Sequence, residues 1–329
     1  MGRLSRAIAV LSISAVAVRA AQAPQPLKLA SPIEMPDVKG RIDHLATDTA
    51  SGRVFVAALG NDSVEVVDGH SGRWLRRLVG FQEPQGIAFA VDARIIAVAN
   101  GGSGNLTLVD AADYHVVKTV PLGGDADNVR YDAAARRFYV GYGSGAIAAV
   151  GIDGQRLANV KLAGHPESFQ LEKSGARIFV NVPDAGHIAV LDRSTMKVLA
   201  TWPVTEAGAN YPMALDEASH RLFVGCRRPA TVLVYDTTSG KHVGSAPIVG
   251  DTDDLFYDAA RKRLYVVGGE GFVDVLQQDD PDHLTRLARL PSASGARTAL
   301  YVPEQGRLYL AVPQRGPQRS EIRLFDAQK

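Results

Sequence analysis

The stretch RVFVAALGNDSVEVVD, residues 53–68, places two runs of strand-forming residues on either side of a Gly-Asn-Asp turn. Short β-branched and aromatic runs separated by turn residues indicate an antiparallel hairpin. The same phrase returns six more times, each copy led by an arginine. The seven arginines are Arg53, Arg94, Arg137, Arg177, Arg221, Arg263 and Arg307, spaced 40 to 44 residues apart. The chain is therefore an array of seven equal β units.

This period matches one four-stranded blade of a β-propeller. In each unit a short strand precedes the arginine-led strand, an alternating strand follows it, and a more polar outer strand closes the unit. The first strand often ends in a turn at an aspartate, as at Asp48, Asp132, Asp216 and Asp258. No segment keeps the spacing of an amphipathic helix. The sequence predicts an all-β, seven-bladed propeller with four antiparallel strands per blade.

The seventh unit lacks a fourth strand of its own. The segment Pro26-Leu27-Lys28-Leu29, which lies before the first unit, alternates apolar and polar residues as an edge strand does. We expect this N-terminal strand to close the last blade. Residues 24–329 then form a single propeller domain.

The first 23 residues have the pattern of a signal peptide. Arg3 and Arg6 precede a twelve-residue apolar stretch, and Ala21-Gln22-Ala23 forms a small-residue cleavage site. Twelve residues are too few to span a bilayer, which takes about 20. We expect cleavage near Ala23 and a periplasmic or secreted protein without a membrane span.

Composition excludes several classes of function. Lysine and arginine total 36 against 35 aspartate and glutamate, so the net charge of +1 argues against a nucleic-acid-binding protein. The chain contains one cysteine, Cys226. A single cysteine rules out an internal disulfide, a Cys-x-x-Cys-His haem attachment and any multi-cysteine metal site.

Aligning the seven units places equivalent loop residues around one mouth of the central channel. Nine of these residues form the candidate ligand-binding site: Asp43, His44, Gln85, Asp127, Asn128, Glu167, Asp253, Asp254 and Arg297. Eight carboxylates crowd the same mouth: Asp43, Glu83, Asp125, Asp127, Glu167, Asp251, Asp253 and Asp254. Two carboxylates about 5 Å apart repel by roughly 3 kcal/mol at an effective dielectric of 20. Protonation, an arginine such as Arg41, Arg130 or Arg297, or a bound cation would relieve this repulsion.

Three interpretations of the acidic mouth stay open. The aspartates make local turns and face water; or they bind a divalent cation; or the arginines hold an anionic or neutral ligand. The candidate metal ligands are Asp127, Asn128, Glu167 and Asp254, a set of oxygens suited to Ca²⁺, Mg²⁺ or Mn²⁺. Adding His44 or His165 would admit Zn²⁺, Fe²⁺ or Cu²⁺.

The segment VANGGSGNLTLVDAADYHVVKTVPLGG, residues 98–124, resembles a YVTN-repeat unit. The resemblance extends over the whole predicted domain and is closest to the YncE-like exported seven-bladed propellers. It implies a binding or scaffold protein. The Trp-Asp dipeptide typical of WD40 repeats is absent from the sequence.

We therefore expect a monomeric, exported binding protein that takes a small ligand, a metal ion or a periplasmic protein at the channel mouth. The alternative is an enzyme. Propellers of the gluconolactonase and streptogramin-lyase types hold a divalent ion in the channel; similarity to them would make Glu167 a ligand or base and His44 a general acid or base. A third possibility is a protein-interaction platform that uses the flat face of the ring.

Overall fold

The computed structural model of the protein describes residues 25–329, so the signal peptide expected at residues 1–23 lies outside the described residues. Seven antiparallel sheets follow one another along the chain. Each inner strand contacts the inner strand of the next blade, and the seventh contacts the first. The ring is closed, and the predicted seven-bladed propeller is confirmed.

The first six blades are four-stranded meanders. Their strands, in chain order and blade by blade, are Leu45–Asp48, Arg53–Ala58, Ser63–Asp68 and Arg73–Val79; Pro84–Ala90, Ile95–Asn100, Asn105–Asp110 and Val116–Pro121; Ala126–Asp132, Arg137–Tyr142, Ala146–Gly151 and Arg156–Lys161; Phe169–Leu171, Arg177–Val182, His187–Asp192 and Lys197–Pro203; Gly208–Asp216, Arg221–Arg228, Ala230–Asp236 and His242–Pro247; Thr252–Asp258, Arg263–Gly268, Phe272–Gln278 and Leu284–Pro291. Residues 25–329 also contain three 3-10 turns, Leu59–Asn61, Pro183–Ala185 and Pro303–Gln305.

The seventh blade is closed by the N-terminal segment, as expected. Its own strands are Ala299–Val302, Arg307–Val312 and Glu321–Ala327. The strand Leu27–Leu29 pairs antiparallel with the last of these, with Leu27 opposite Ala327. A second short strand, Ile33–Glu34, pairs with the same strand further along. The two ends of the described chain therefore share one sheet.

The hydrophobic core is divided into layers between neighbouring blades. The second strand of each blade carries the large buried side chains, such as Phe55, Phe138, Phe179 and Phe223, each fully buried. Burying one such side chain contributes about 2 kcal/mol. The outer strands are much more exposed, as Val116 and Val117 show. Cys226 is part of this core, and burial raises the pKa of its thiol to about 12.

The described residues contain no helix of sufficient length and apolarity to cross a bilayer.

The repeated arginine connects blades. Six of the seven arginines begin the second strand of their blade, whereas Arg94 lies just before its strand with a φ of +55°. Arg53 donates to the carbonyl of Ala111 at 2.6 Å, and Arg263 donates to that of Gln328 at 2.7 Å. In both cases the acceptor is the residue that follows the third strand of the next blade. The repeated phrase thus encodes a contact between blades as well as a strand.

Candidate functional site

A polar cavity of about 250 Å³ lies where the seven inner strands begin. All seven blades contribute to its lining, which consists of Arg41, Gln85, Asp125, Asp127, His165, Glu167, Tyr211, Arg227, Asp253 and Arg297. A larger cavity of about 420 Å³ is lined by residues 34–39 together with Gln314, Arg319 and Ser320. We place the candidate site at the smaller cavity, called the mouth below, because most of the selected charged residues converge there.

The backbone is irregular at the positions that line the mouth, and this sets the direction of their side chains. In four blades the inner strand has a register shift at the mouth, and the residues at or beside these shifts include Gln85, Asp127, Tyr211 and Asp253. Two positions earlier the backbone is left-handed at Glu83, Asp125, Ala209 and Asp251. Bulges interrupt alternation and redirect side chains. Neighbouring blades also approach closely: a Cβ at Gly86 would lie 2.1 Å from the carbonyl oxygen of Asp127.

The nine residues selected from the sequence lie in two layers. Five of them line the mouth: Gln85, Asp127, Glu167, Asp253 and Arg297. The other four are not in its lining: Asp43, His44, Asn128 and Asp254. Three of these four are almost fully buried, with Asp43 1%, Asn128 2% and Asp254 8% exposed.

On one side of the mouth, arginines neutralise the carboxylates. Asp253 accepts from Arg227 at 2.6 Å, and its other oxygen lies 3.0 Å from Nε of Arg297. Arg41 donates to Asp43 at 2.8 Å and lies 3.8 Å from Asp253. Burial raises the pKa of Asp253 to about 6, with Asp43 adding to the rise and the two arginines opposing it. Ion pairs with Arg41, Arg227 and Arg297 therefore oppose the expected repulsion between carboxylates here.

On the other side, three side chains converge, and none of them forms an ion pair with an arginine of the described residues. One oxygen of Asp127, one oxygen of Glu167 and one ring nitrogen of His165 all lie within 4.8 Å of one another. Nδ1 of His165 lies 2.6 Å from the carbonyl oxygen of Gly143, and Nε2 lies 3.6 Å from Asp127. A carbonyl that accepts from Nδ1–H leaves Nε2 as the ligating atom, the usual arrangement for metal-bound histidine.

The surroundings of Glu167 and His165 set the protonation states of these two groups. Burial, followed by the charges of Asp127 and Asp253, raises the pKa of Glu167 to about 8. Burial alone would lower the pKa of His165, but Asp127 and the Gly143 carbonyl raise it to about 9. At neutral pH, without a bound cation, Glu167 is mostly protonated and His165 carries a positive charge.

His44 belongs to the buried layer. Nδ1 lies 3.5 Å from Asp254 and Nε2 lies 3.7 Å from Asp43. Burial would lower the pKa of His44, but Asp254 and Asp43 raise it to about 10. His44 is therefore a cation at neutral pH, which disfavours the base but not the acid in its expected role as a general acid or base. It serves as the counter-ion of two buried carboxylates.

The candidate metal set is only partly brought together. Asp127 and Glu167 belong to the cluster and His165 joins them, whereas Asp254 pairs with His44 and accepts from the amide of Ala299 at 2.8 Å. Oδ1 of Asn128 is buried without a hydrogen-bond partner among the described residues. Arg130 lies near both Asp127 and Asp254, and burial lowers its pKa.

Two residues that line the mouth, His165 and Arg227, are not among the nine selected from the sequence. His165 stands two positions before Glu167, which is the signal that could have placed them together. Arg227 lies at the end of the second strand of the fifth blade, outside the aligned positions. Its guanidinium lies 3.9 Å from the centre of the Tyr211 ring.

Asp110, Asp113 and His115 form a second group with converging ligand atoms. This group lies on the surface, and its contacts are local: the Asp110 side chain accepts from the amide of Ala112, and Asp113 pairs with His115 at 2.6 Å. We interpret it as a turn stabilised by its own carboxylates.

Comparison with known proteins supports the fold alone. No model of a protein family matches the chain, and no curated protein does. A structure titled "Kuenenia stuttgartiensis Hydrazine Synthase" contains a similar chain, with a TM-score of 0.73 and 16% identity over 84% of this chain and 94% of that chain. A chain in "Crystal Structure of Mitotic Checkpoint Complex" matches with a TM-score of 0.78 and 13% identity over 99% of both chains. With 1791 similar chains among solved structures, the fold does not identify a function.

Proposed function

We propose that the protein is a ligand-binding propeller whose mouth binds a divalent metal ion through Asp127, His165 and Glu167. The observation that carries this proposal is the convergence of three ligand atoms within 4.8 Å, with His165 oriented by the Gly143 carbonyl. An oriented imidazole distinguishes this group from acidic residues that only face water.

The donor set indicates which ions would fit. One imidazole and two carboxylates suit Mn²⁺, Fe²⁺ or Zn²⁺ better than Ca²⁺ or Mg²⁺, which prefer oxygen ligands alone. From the oxygen ligands alone we expected Ca²⁺, Mg²⁺ or Mn²⁺, and the addition of His165 shifts the preference toward Fe²⁺ and Zn²⁺. Mn²⁺ fits both ligand sets. Because Glu167 and His165 hold protons in the metal-free protein, an ion must displace those protons to bind.

The test is a calorimetric titration of Mn²⁺ and Zn²⁺ into chelator-treated protein in phosphate-free buffer. Glu167→Gln removes one anionic ligand while keeping the side-chain shape, so we expect at least a tenfold loss of affinity. Asp113→Asn is the matched control, since it alters the surface group and should leave the tight binding event unchanged. Equal binding by the wild type and Glu167→Gln would reject the site.

A metal-dependent enzyme is the second candidate, and one observation favours it. Three protein ligands leave coordination positions open, as catalytic metal sites do. Metal-dependent turnover of a lactone panel that is lost in Glu167→Gln would select this candidate. Metal binding without turnover would favour the binding protein.

We also propose that the protein is exported and belongs with the YncE-like YVTN-repeat propellers. The repeat phrase and the residue pattern of positions 1–23 support this. Expression of the full chain in a Gram-negative host, followed by periplasmic extraction and N-terminal sequencing, should give a mature protein beginning near residue 24. An unprocessed protein retained in the cytoplasm would contradict export.

A further inference from the structure

A second cavity, of about 280 Å³, adjoins the mouth and has a basic lining. Seven residues line it; three are arginines, Arg41, Arg297 and Arg315, and none is acidic. Arg41 and Arg297 also line the mouth. The two cavities therefore share a wall of two guanidinium groups.

The third arginine reaches this cavity because of a glycine. A Cβ at Gly295 would lie 2.4 Å from both Cζ and Nε of Arg315. Gly295 also has a φ of +74°, in the left-handed region that favours glycine. Only a residue without a side chain leaves room for the guanidinium at this place.

The loop that carries Arg315 is ordered by its own contacts. Arg315 and Gln318 exchange two backbone hydrogen bonds, of 3.1 and 2.9 Å. Nε2 of Gln318 donates to the carbonyls of Ser294 at 3.0 Å and Pro313 at 2.7 Å. The loop is thereby anchored to the segment that contains Gly295, which positions the backbone of Arg315 next to the cavity.

The three arginines keep donors for a ligand. Arg41 uses Nη2 for Asp43, and Arg297 uses Nη1 and Nε for Asp251 and Asp253. Arg315 is exposed and takes part in none of the ion pairs found among residues 25–329. Planar guanidinium forks match the oxygens of phosphate and carboxylate groups.

We infer that this cavity, called the arginine pocket, binds the phosphate group of a small ligand. Three guanidinium groups suit a doubly charged group with three free oxygens better than a carboxylate with two. The inference rests on the proposed function in one respect: through the shared wall of Arg41 and Arg297, a ligand anchored here would extend to the metal at the mouth.

The experiment is a calorimetric titration of inorganic phosphate into the protein in the presence of EDTA. Wild type should bind with a dissociation constant in the millimolar range or below, and Arg315→Ala should bind at least tenfold more weakly. Arg319→Ala is the matched control, because Arg319 is an exposed arginine of the same loop that does not line the arginine pocket. Gly295→Ala is a second test, since its methyl group displaces Arg315 and should also weaken binding. Thermal melts check that each variant is folded.

The ligand source is resolved by comparison with glycerol phosphate and acetate. Tighter binding of glycerol phosphate assigns the pocket to a phosphomonoester, and tighter binding of inorganic phosphate assigns it to the free ion. The inference is overturned if wild type does not bind phosphate, if Arg315→Ala and Arg319→Ala bind it equally, or if acetate binds as tightly. These titrations contain no metal, so their failure leaves the proposed metal site standing.

Discussion

Arg307 donates through Nη1 to the carbonyl oxygen of Gly69 at 3.2 Å, and this hydrogen bond joins the seventh blade to the first. Gly69 directly follows the third strand of its blade. Arg53, Arg177 and Arg263 make the same contact with the blade that follows theirs. At four of the seven positions, the repeated arginine thus forms a hydrogen bond between blades, which the local strand pattern alone does not require.

Arg307→Ala should destabilise the closed ring. The substitution removes the hydrogen bond to Gly69 and the 2.7 Å ion pair with Asp326. Losing hydrogen bonds to a charged group costs about 1.5–3 kcal/mol, and we expect a lower melting temperature. Arg319→Ala is the control, because its side chain is 78% exposed. Equal melting temperatures for the two variants would show that the contacts of Arg307 with Gly69 and Asp326 contribute nothing to stability.

Two leucines of the N-terminal closing strand allow a test of its pairing with the last blade. Leu27 is 1% exposed in the core of the last blade, whereas Leu29 is 53% exposed. Leu27→Asp buries an unpaired charge and should cost about 3 kcal/mol or more. Leu29→Asp should be close to neutral. Urea unfolding of the two variants measures the difference, and equal midpoints would contradict the pairing of this strand with the last blade.

The metal-free protein should lose stability as the pH rises. Burial and the Asp127 charge raise the pKa of Glu167 from 4.5 to about 8. The folded state therefore holds this proton more tightly than the unfolded chain does, and the free energy of unfolding falls as the pH rises from 4.5 to about 8. Burial opposes a rise for His165, but Asp127 and Gly143 raise its pKa from 6.5 to about 9. The contribution of His165 is complete below pH 6.5 and is lost by pH 9. Glu167 and His165 therefore both make the folded protein less stable as the pH rises.

Glu167→Gln isolates the glutamate part of this dependence. The amide stays neutral at every pH, so the variant should melt about 3 °C or more above wild type at pH 9 and close to wild type at pH 5. Glu304→Gln, at an exposed position, should follow wild type throughout. Parallel melting profiles for wild type and Glu167→Gln in EDTA would refute the buried, proton-bearing state of Glu167.

The fold was predictable because seven copies of one pattern leave few alternatives, and even the closing strand follows from the unpaired edge of the last blade. The mouth was predictable only as a set of positions. His44 and His165 both precede an inner strand, yet only His165 joins the group of converging ligand atoms. His44 instead pairs with the buried carboxylates of Asp43 and Asp254, and these pairings are not visible in a periodic pattern. Arg227 was not among the selected site residues because it enters the mouth from the end of a second strand.

Metal binding at the mouth should release protons. At pH 7 Glu167 and His165 each hold a proton, whereas a bound ion needs the carboxylate and the free Nε2. Up to two protons should leave per ion, so affinity should rise by up to about 100-fold per pH unit below pH 8 and level off above pH 9. Calorimetry of Mn²⁺ binding in buffers of different ionisation enthalpy counts the protons directly. Asp113→Asn should release the same number, and Glu167→Gln should release about one fewer. A binding event with no proton release would mean that the ion is held elsewhere, since ligation by Glu167 and His165 requires their deprotonation.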